Sequence, residues 1–325
     1  MKHLYFIGNG FDLHHDFKTR YTDFRDWLKG YNREAYENIL NLYGVKDDKS
    51  NETWDWWSYF EVHLVDMDVY EDILDIVKEN QIDYGAENFH EADRYDGAVE
   101  AEMKFEATMN VVLASFGEWI DSLGKLKSQK EVDLDKNADF ITFNYTLTLE
   151  EQYEIAKEMV HHFHGKLGED KYILGHGRTY RDIRDKIKEN EEKPIGVAEE
   201  ELHDWYADQW DEAYENTVNA TASKFASYKK NVEMVISENE ELYKKMGDLE
   251  KITIFGFSFS TIDNPYISEA IKRAKNKDTL EFVVTWHSAT DLKNIDNFFT
   301  KEGIKQSQVN KIQLDTITTL KNAKK

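Results

Sequence analysis

The sequence contains no cysteine and only two prolines among its 325 residues. Without cysteine, the chain has no disulfide, no thiolate nucleophile and no cysteine-ligated zinc site. The redox character of its compartment therefore cannot be read from cysteine usage. Proline interrupts helices, so its scarcity is compatible with a helix-rich chain.

Long apolar runs are also lacking. The first apolar run, Leu4–Ile7, stops at a glycine, and no later window approaches the roughly 18 apolar residues of a transmembrane helix. We therefore expect neither a signal peptide nor a membrane anchor, and we predict a cytoplasmic protein.

Positive charge is scarce relative to negative charge. Lysine and arginine total 41, whereas aspartate and glutamate total 64, which gives a net charge of −23. Such a field repels phosphate backbones and anionic lipids, so we expect neither a nucleic-acid partner nor a membrane partner. A hydrophobic fraction of 40% with 18 Phe, 18 Tyr and 8 Trp favours a folded chain over a disordered one.

Short apolar runs alternate with helical patterns along the chain, which is typical of a parallel sheet with helices on both faces. The predicted fold class is therefore α/β, a Rossmann-like parallel sheet with large helical insertions. The predicted strands are Leu4–Ile7, Asp139–Phe143, Val160–Phe163, Tyr172–Leu174, Ile252–Phe255, Leu280–Thr285 and Lys311–Ile317, with a helix at Pro265–Ala274.

We predict one domain over residues 1–325, with its sheet core drawn from about 1–20, 135–180 and 250–320. Residues 21–130 and 181–249 have apolar side chains at three-and-four spacing among many acids, which predicts helices. These helical insertions are interpreted as structural or partner-facing. They would be the surfaces for a homo-oligomer or another protein.

A glycine turn, Gly8-Asn9-Gly10-Phe11, follows the first strand. Two glycines spaced in this way let a phosphate approach the start of a helix, although the third glycine of a dinucleotide loop is missing. An ordinary strand-to-helix turn explains the same residues. Asp12 either caps the following helix or faces a ribose or a developing cation.

Polar side chains follow two later strands. Asn144 lies at the end of the second predicted strand, where ligands of open parallel sheets bind, although a plain turn residue is the alternative. His164 precedes a glycine and is a candidate general base that titrates near neutrality. In a strand, His162 would lie on the same face as His164, and two histidines on one face can bind a metal ion. No third ligand is evident, so we expect no metal.

The last motif, GFSFSTID, follows the strand near residue 255 and places Gly256, Ser258 and Asp263 at the same edge of the sheet. Ser258 lacks the GxSxG spacing of a hydrolase nucleophile, so a serine hydrolase is rejected. His176, in YILGHG, is expected to pack or to bond to the backbone.

Taken together, IGNGFDLHHDFKTRYTDF, ITFNYT, HFHG, ILGHG and FGFSFSTIDNPYI resemble, in their order, the signature of the AbiH abortive-infection family. That signature is in turn similar to the sirtuin-like NAD-binding proteins. The four-cysteine zinc ribbon of true sirtuins is absent, which puts protein deacylation in doubt.

The resemblance implies an anti-phage protein that hydrolyses NAD, its substrate, to nicotinamide and ADP-ribose. It implies that Asn144 and His164 are the catalytic pair, that Gly8, Gly10 and Asp12 belong to the dinucleotide loop, and that Gly256 and Ser258 belong to the late adenosine-side turn. We further predict that Asp12 is catalytic, as an electrostatic stabiliser of the developing cation, and that Asn9, Phe11 and Asp263 also bind the nucleotide.

Two alternatives stay open at this point. The same crevice could sense a nucleotide without cleaving it and act through a partner that binds the helical insertions. A metal-dependent nuclease using His162, His164 and neighbouring acids ranks third, because the charge balance and the ligand spacing disfavour it.

Overall fold

A computed structural model of the chain describes residues 1–48, 50–81, 87, 89–169, 171–189 and 212–319. Its residues divide into two compact units. The sheet unit consists of Met1–Trp27, Phe116–Leu174 and Lys230–Lys325, and the helical unit consists of Leu28–Ser115 and Gly175–Lys229.

Six parallel strands form the sheet, in the order β3-β2-β1-β4-β5-β6. They are β1 (His3–Ile7), β2 (Asp139–Thr142), β3 (Val160–His162), β4 (Lys251–Phe255), β5 (Glu281–Trp286) and β6 (Val309–Gln313). This order is that of the doubly wound Rossmann sheet, in which the chain reverses its direction of winding between the first and fourth strands. The predicted Rossmann-like α/β fold is confirmed.

The described helices follow in chain order. They are α1 (Gly10–His14), α2 (Tyr21–Tyr31), α3 (Arg33–Leu42), α4 (Asn51–Ser58), α5 (Phe60–His63), α6 (Tyr70–Glu79), α7 (Asp96–Leu123), α8 (Thr148–Glu151), α9 (Tyr180–Glu189), α10 (Glu212–Ala226), α11 (Val232–Glu238), α12 (Glu240–Lys244), α13 (Asn264–Arg273) and α14 (Ala289–Lys301). None of them is long and apolar enough to cross a membrane. Part of the predicted second helical stretch, residues 190–211, lies outside the described residues.

Alternate residues of the central strand β1 enter two different cores. Leu4 and Phe6 pack into the cluster that holds the apolar faces of α13 and α14. Tyr5 and Ile7 pack into the opposite cluster. Both faces of the sheet are therefore buried, which is why its inner strands read as continuous apolar runs rather than as alternating patterns.

Two predicted strands are corrected by the structure. Tyr172–Leu174 belongs to no strand, because its contact with the sheet edge is a single backbone bond, from the Ile173 amide to the His164 carbonyl at 2.8 Å. The last strand is Val309–Gln313, and Leu314–Thr319 form a 3₁₀ helix instead of continuing the strand to Ile317.

An alanine substitution at Gly256 tests how closely the turn after β4 packs against the turn after β1. A Cβ atom at Gly256, where φ is +63°, would lie 2.2 Å from the Phe11 amide nitrogen. Gly303 has a similar φ of +72° with no atom within 4 Å of its Cβ position. We expect Gly303→Ala to lower the free energy of unfolding by about 1 kcal/mol and Gly256→Ala to lower it by about 4 kcal/mol or more. Urea denaturation measures both, and equal losses would contradict this packing.

Candidate functional site

The carboxyl ends of β1 and β4 meet through their backbones. The Gly8 amide donates to the Phe255 carbonyl at 2.9 Å, and the Gly10 amide donates to the Gly256 carbonyl at 2.8 Å. A Cβ atom at Gly8 would lie 2.5 Å from the Gly256 oxygen, and one at Gly10 would lie 2.6 Å from the Gly256 Cα. Contact between the two turns is therefore enough to require glycine at all three positions.

The other residues of the first turn are also held by the protein itself. The Phe11 amide donates to the Gly8 carbonyl, and its buried ring packs edge-on against Phe255 at 5.0 Å. The Asn9 carboxamide donates to the Thr19 carbonyl and accepts from the Thr19 hydroxyl. The amides of Gly10 and Phe11 thus already have acceptors, so a phosphate at this turn would have to be bound by other donors.

Asp12 is the buried carboxylate of this edge of the sheet, with 1% of its surface exposed. Its side chain does not cap α1. It accepts instead from the hydroxyls of Thr146 at 2.6 Å and Thr148 at 2.8 Å. Burial raises the pKa of Asp12 to about 6, although these hydroxyls and the Asn144 amide oppose the rise.

The sequence analysis missed Thr146 and Thr148. Their alternation in NYTLT after β2 was the available signal, but hydroxyl side chains in a turn have many local roles. Only the fold brings them onto a carboxylate more than 130 residues away in sequence.

Asn144 is 6% exposed, and its Oδ1 atom has no hydrogen-bond partner among the described residues, while its carboxamide lies close enough to the Asp12 carboxylate to lower the pKa of that group. Its backbone is well fixed, since its amide donates to the Thr142 hydroxyl and its carbonyl lies 3.2 Å from Nδ1 of His162. The other nitrogen of His162 lies 2.8 Å from Glu150. Buried carboxamides almost always have partners, so this one is a candidate ligand contact.

His164 lies just beyond the end of β3 and is 3% exposed. Its ring packs against Phe143 at 5.0 Å and Tyr266 at 6.0 Å. Because β3 ends at His162, the strand alternation expected to align the two histidines does not extend to His164. Within the described part of the chain, Nε2 of His164 has no hydrogen-bond partner.

The expected titration of His164 near neutrality is wrong. Burial, reinforced by the ammonium of Lys230 and opposed by Asp263, lowers the pKa of His164 to about 3. The imidazole is consequently neutral at physiological pH, and its unpartnered Nε2 is able to accept a proton when that nitrogen is unprotonated.

Asp263 and Lys230 form an ion pair beside this histidine. Nζ of Lys230 lies 3.2 Å from Oδ1 of Asp263, and Nε2 of His164 lies 3.6 Å from the same oxygen. Burial raises the pKa of Asp263, but Lys230, His164 and the Ser260 hydroxyl outweigh that effect and lower it. Lys230 belongs to none of the motifs and could not be predicted from the sequence.

Ser258, by contrast, is exposed. Its backbone carbonyl accepts a hydrogen bond from the Asn294 carboxamide at 3.5 Å. The next residue, Phe259, is buried with a φ of +54°, a strained conformation for a side chain of this size. A cavity of about 260 Å³ opens beside it, lined in part by Asn264 and Lys301. Asp12, Asn144 and His164 do not line this cavity.

His161 and His176 have structural partners. His161 lies 3.1 Å from Asp139, and His176 is 1% exposed with Nε2 2.9 Å from the Phe225 carbonyl. The expected backbone bond of His176 is confirmed. No group of three or more His, Asp or Glu residues suited to a metal ion occurs among the residues that the structure describes.

The family model described as "Bacteriophage abortive infection AbiH" matches residues 4–286 of the chain. This range includes β1 from its second residue, the whole of β2 to β5, and every candidate site residue. No curated protein and no solved structure is similar enough to the chain to count as a match.

The raised pKa of Asp12 predicts a pH-dependent stability. The pKa of Asp12 is about 6 in the folded protein, against 3.8 for an ordinary aspartate in the unfolded chain. The protonated carboxyl group therefore stabilises the fold fully below pH 3.8, and this stabilisation is lost as the pH rises through 6. As the pH is raised from 4 to 7.5, we expect the free energy of unfolding of Asp12→Asn to increase by up to about 3 kcal/mol relative to that of the wild type. Urea denaturation at both pH values measures this, and parallel pH profiles would contradict it.

Proposed function

Because the chain belongs to the AbiH family of bacteriophage abortive-infection proteins, we propose that it acts in that defence by hydrolysing NAD to nicotinamide and ADP-ribose. The family supports the defence role against bacteriophage. The reaction and the substrate are our proposal, and they are located at the carboxyl ends of β1 to β4.

The observation that carries the proposal is a pair of unsatisfied polar side chains. The carboxamide oxygen Oδ1 of Asn144 and Nε2 of His164 are buried without hydrogen-bond partners among the described residues, and they follow the neighbouring strands β2 and β3. A polar group left in this state costs about 1–3 kcal/mol, so a ligand that satisfies both groups would explain their retention. A parallel sheet with this strand order binds nucleotides at this edge.

The chemistry suits these few groups. Nicotinamide leaves the cationic NAD ring as a neutral molecule when the bond from its nitrogen to the ribose breaks, so no general acid is required. A water molecule then forms the new carbon–oxygen bond and loses a proton. In this scheme Asn144 orients the ribose or the water, and His164, neutral at physiological pH, accepts the proton.

Asp12 would act through its charge rather than by contact with the leaving group. Both of its oxygens accept threonine hydroxyls, which fixes the carboxylate at the start of α1. Its pKa of about 6 means that most of it is ionised at pH 7.5, where a buried anion stabilises an oxocarbenium-like ribosyl centre.

The experiment is NAD consumption and nicotinamide release by the purified protein, with and without a chelator. We expect cleavage that survives chelation and falls at least about 100-fold in Asn144→Ala and in His164→Ala, because each removes a group that acts on the reacting centre. His161→Ala is the matched control, since that histidine is bonded to Asp139. Wild-type kinetics in either site variant would overturn the assignment, and cleavage abolished by chelator would favour a metal-dependent enzyme.

A nucleotide sensor without turnover is the second candidate, and exposed apolar side chains in the helical unit favour it. Such a sensor needs a partner surface. Val99, Met103 and Val111 expose apolar side chains along α7 within the helical unit.

Calorimetric titration with NAD separates the two candidates. A sensor binds NAD with no nicotinamide released over hours, and Asn144→Ala weakens that binding because a buried hydrogen-bonding group is lost. A glycohydrolase turns NAD over under the same conditions. Heat of binding without turnover would overturn the enzymatic proposal, whereas turnover would overturn the sensor.

A further inference from the structure

Lys230 is a fully buried cation at the edge of the proposed site. Its side chain has 0% of its surface exposed, and lysine is almost never buried to this extent unless it is paired. Its carboxylate partner is Asp263, whose side chain is 15% exposed. Lys230 lies in the segment between α10 and α11, far from every sequence motif.

The two basic groups of this cluster compete for one oxygen atom. Oδ1 of Asp263 is 3.2 Å from the ammonium of Lys230 and 3.6 Å from Nε2 of His164. The ammonium is at hydrogen-bond distance and the imidazole is not, although both side chains are buried. The carboxylate is thus already neutralised by the lysine.

A proton added to His164 would therefore introduce a second positive charge beside the same carboxylate, that of Asp263, which already pairs with Lys230. The charged groups that act on the imidazole are Asp263, from the loop after β4, and Lys230. The rings of Phe143 and Tyr266 pack against it and keep water away. Charge and desolvation both oppose protonation.

We propose that Lys230 is a positioning residue of this site, which holds Asp263 in an ion pair and so keeps His164 in its neutral, proton-accepting form. The assignment of a base role to His164 rests on the proposed function. The effect of Lys230 on the protonation of His164 does not.

The same carboxylate can also stabilise the positive charge that His164 acquires after proton transfer. Once His164 has accepted a proton, the Asp263 carboxylate lies 3.6 Å away and can close on the imidazolium. Lys230 would then share this carboxylate with the imidazolium. The lysine thus sets the resting state, while the aspartate stabilises the state that forms during turnover.

Nitrogen NMR of the imidazole rings in the full-length protein tests the proposal. His164→Gln identifies the His164 signals by their loss. We expect wild-type His164 to remain neutral from pH 8 down to pH 5. In Lys230→Met, which removes the charge and preserves the apolar stem, we expect its titration midpoint to rise by about 1–3 pH units, because Asp263 is released to pair with it.

Two further variants serve as controls. Lys230→Arg retains the positive charge and should keep the low midpoint. Lys230→Met combined with Asp263→Asn removes both members of the pair, leaves no unpaired buried charge, and should return the midpoint to the wild-type range.

A midpoint in folded Lys230→Met equal to that of the wild type would overturn the proposal. If that variant does not fold, Lys230→Gln decides: it removes the charge and keeps a hydrogen-bond donor for Asp263, so a raised midpoint would support the proposal and an unchanged one would overturn it. Absence of NAD cleavage with the expected titrations would refute the proposed enzyme and leave the role of Lys230 in place.

Discussion

The backbone of the first glycine turn lies against the backbone of Gly256, and the edge of the sheet depends on that approach. The contact joins the two strands at which the winding of the sheet reverses. Its bonds run between main-chain atoms, and a side chain at any of the three glycines would force the turns apart. This backbone contact fixes the positions of the start of α1, which contains Asp12, and of the loop after β4, which contains Asp263.

This constraint changes how the glycine motif is interpreted. Glycines after the first strand of a Rossmann-like sheet are usually attributed to a phosphate that approaches the bare backbone. In this protein the group that approaches Gly8 and Gly10 is the chain itself. The amides of Gly10 and Phe11 are used in the same contact, so the case for a ligand rests on Asn144 and His164.

Burial governs the electrostatics of the candidate site. It raises the pKa of Asp12 and lowers that of His164, and in both cases it favours the neutral form. Threonine hydroxyls partly offset it for Asp12, whereas for His164 a neighbouring ammonium adds to it. Burial thus favours the neutral form of both groups, against the hydrogen-bonding partners of Asp12 and together with the ammonium beside His164.

The parallel sheet and most of its strands could be predicted from the sequence, because short apolar runs that alternate with helical patterns are typical of parallel strands with helices on both faces of the sheet. The existence and bounds of individual strands were predicted less accurately than the fold class. Tyr172–Leu174 has the apolar pattern of a strand but makes only one backbone bond to the sheet edge, and pattern alone does not report pairing.

The sequence by itself determined the α/β class, the family, and the places at the strand ends where Asn144 and His164 lie, since these follow from local pattern and order. Only the tertiary structure decided which groups surround them. Lys230, Thr146 and Thr148 reach their carboxylates across at least 33 residues of chain, where folding and not spacing sets the neighbours. The protonation states of Asp12 and His164 depend on those neighbours and on burial, which are properties of the packed chain and not of any segment of it.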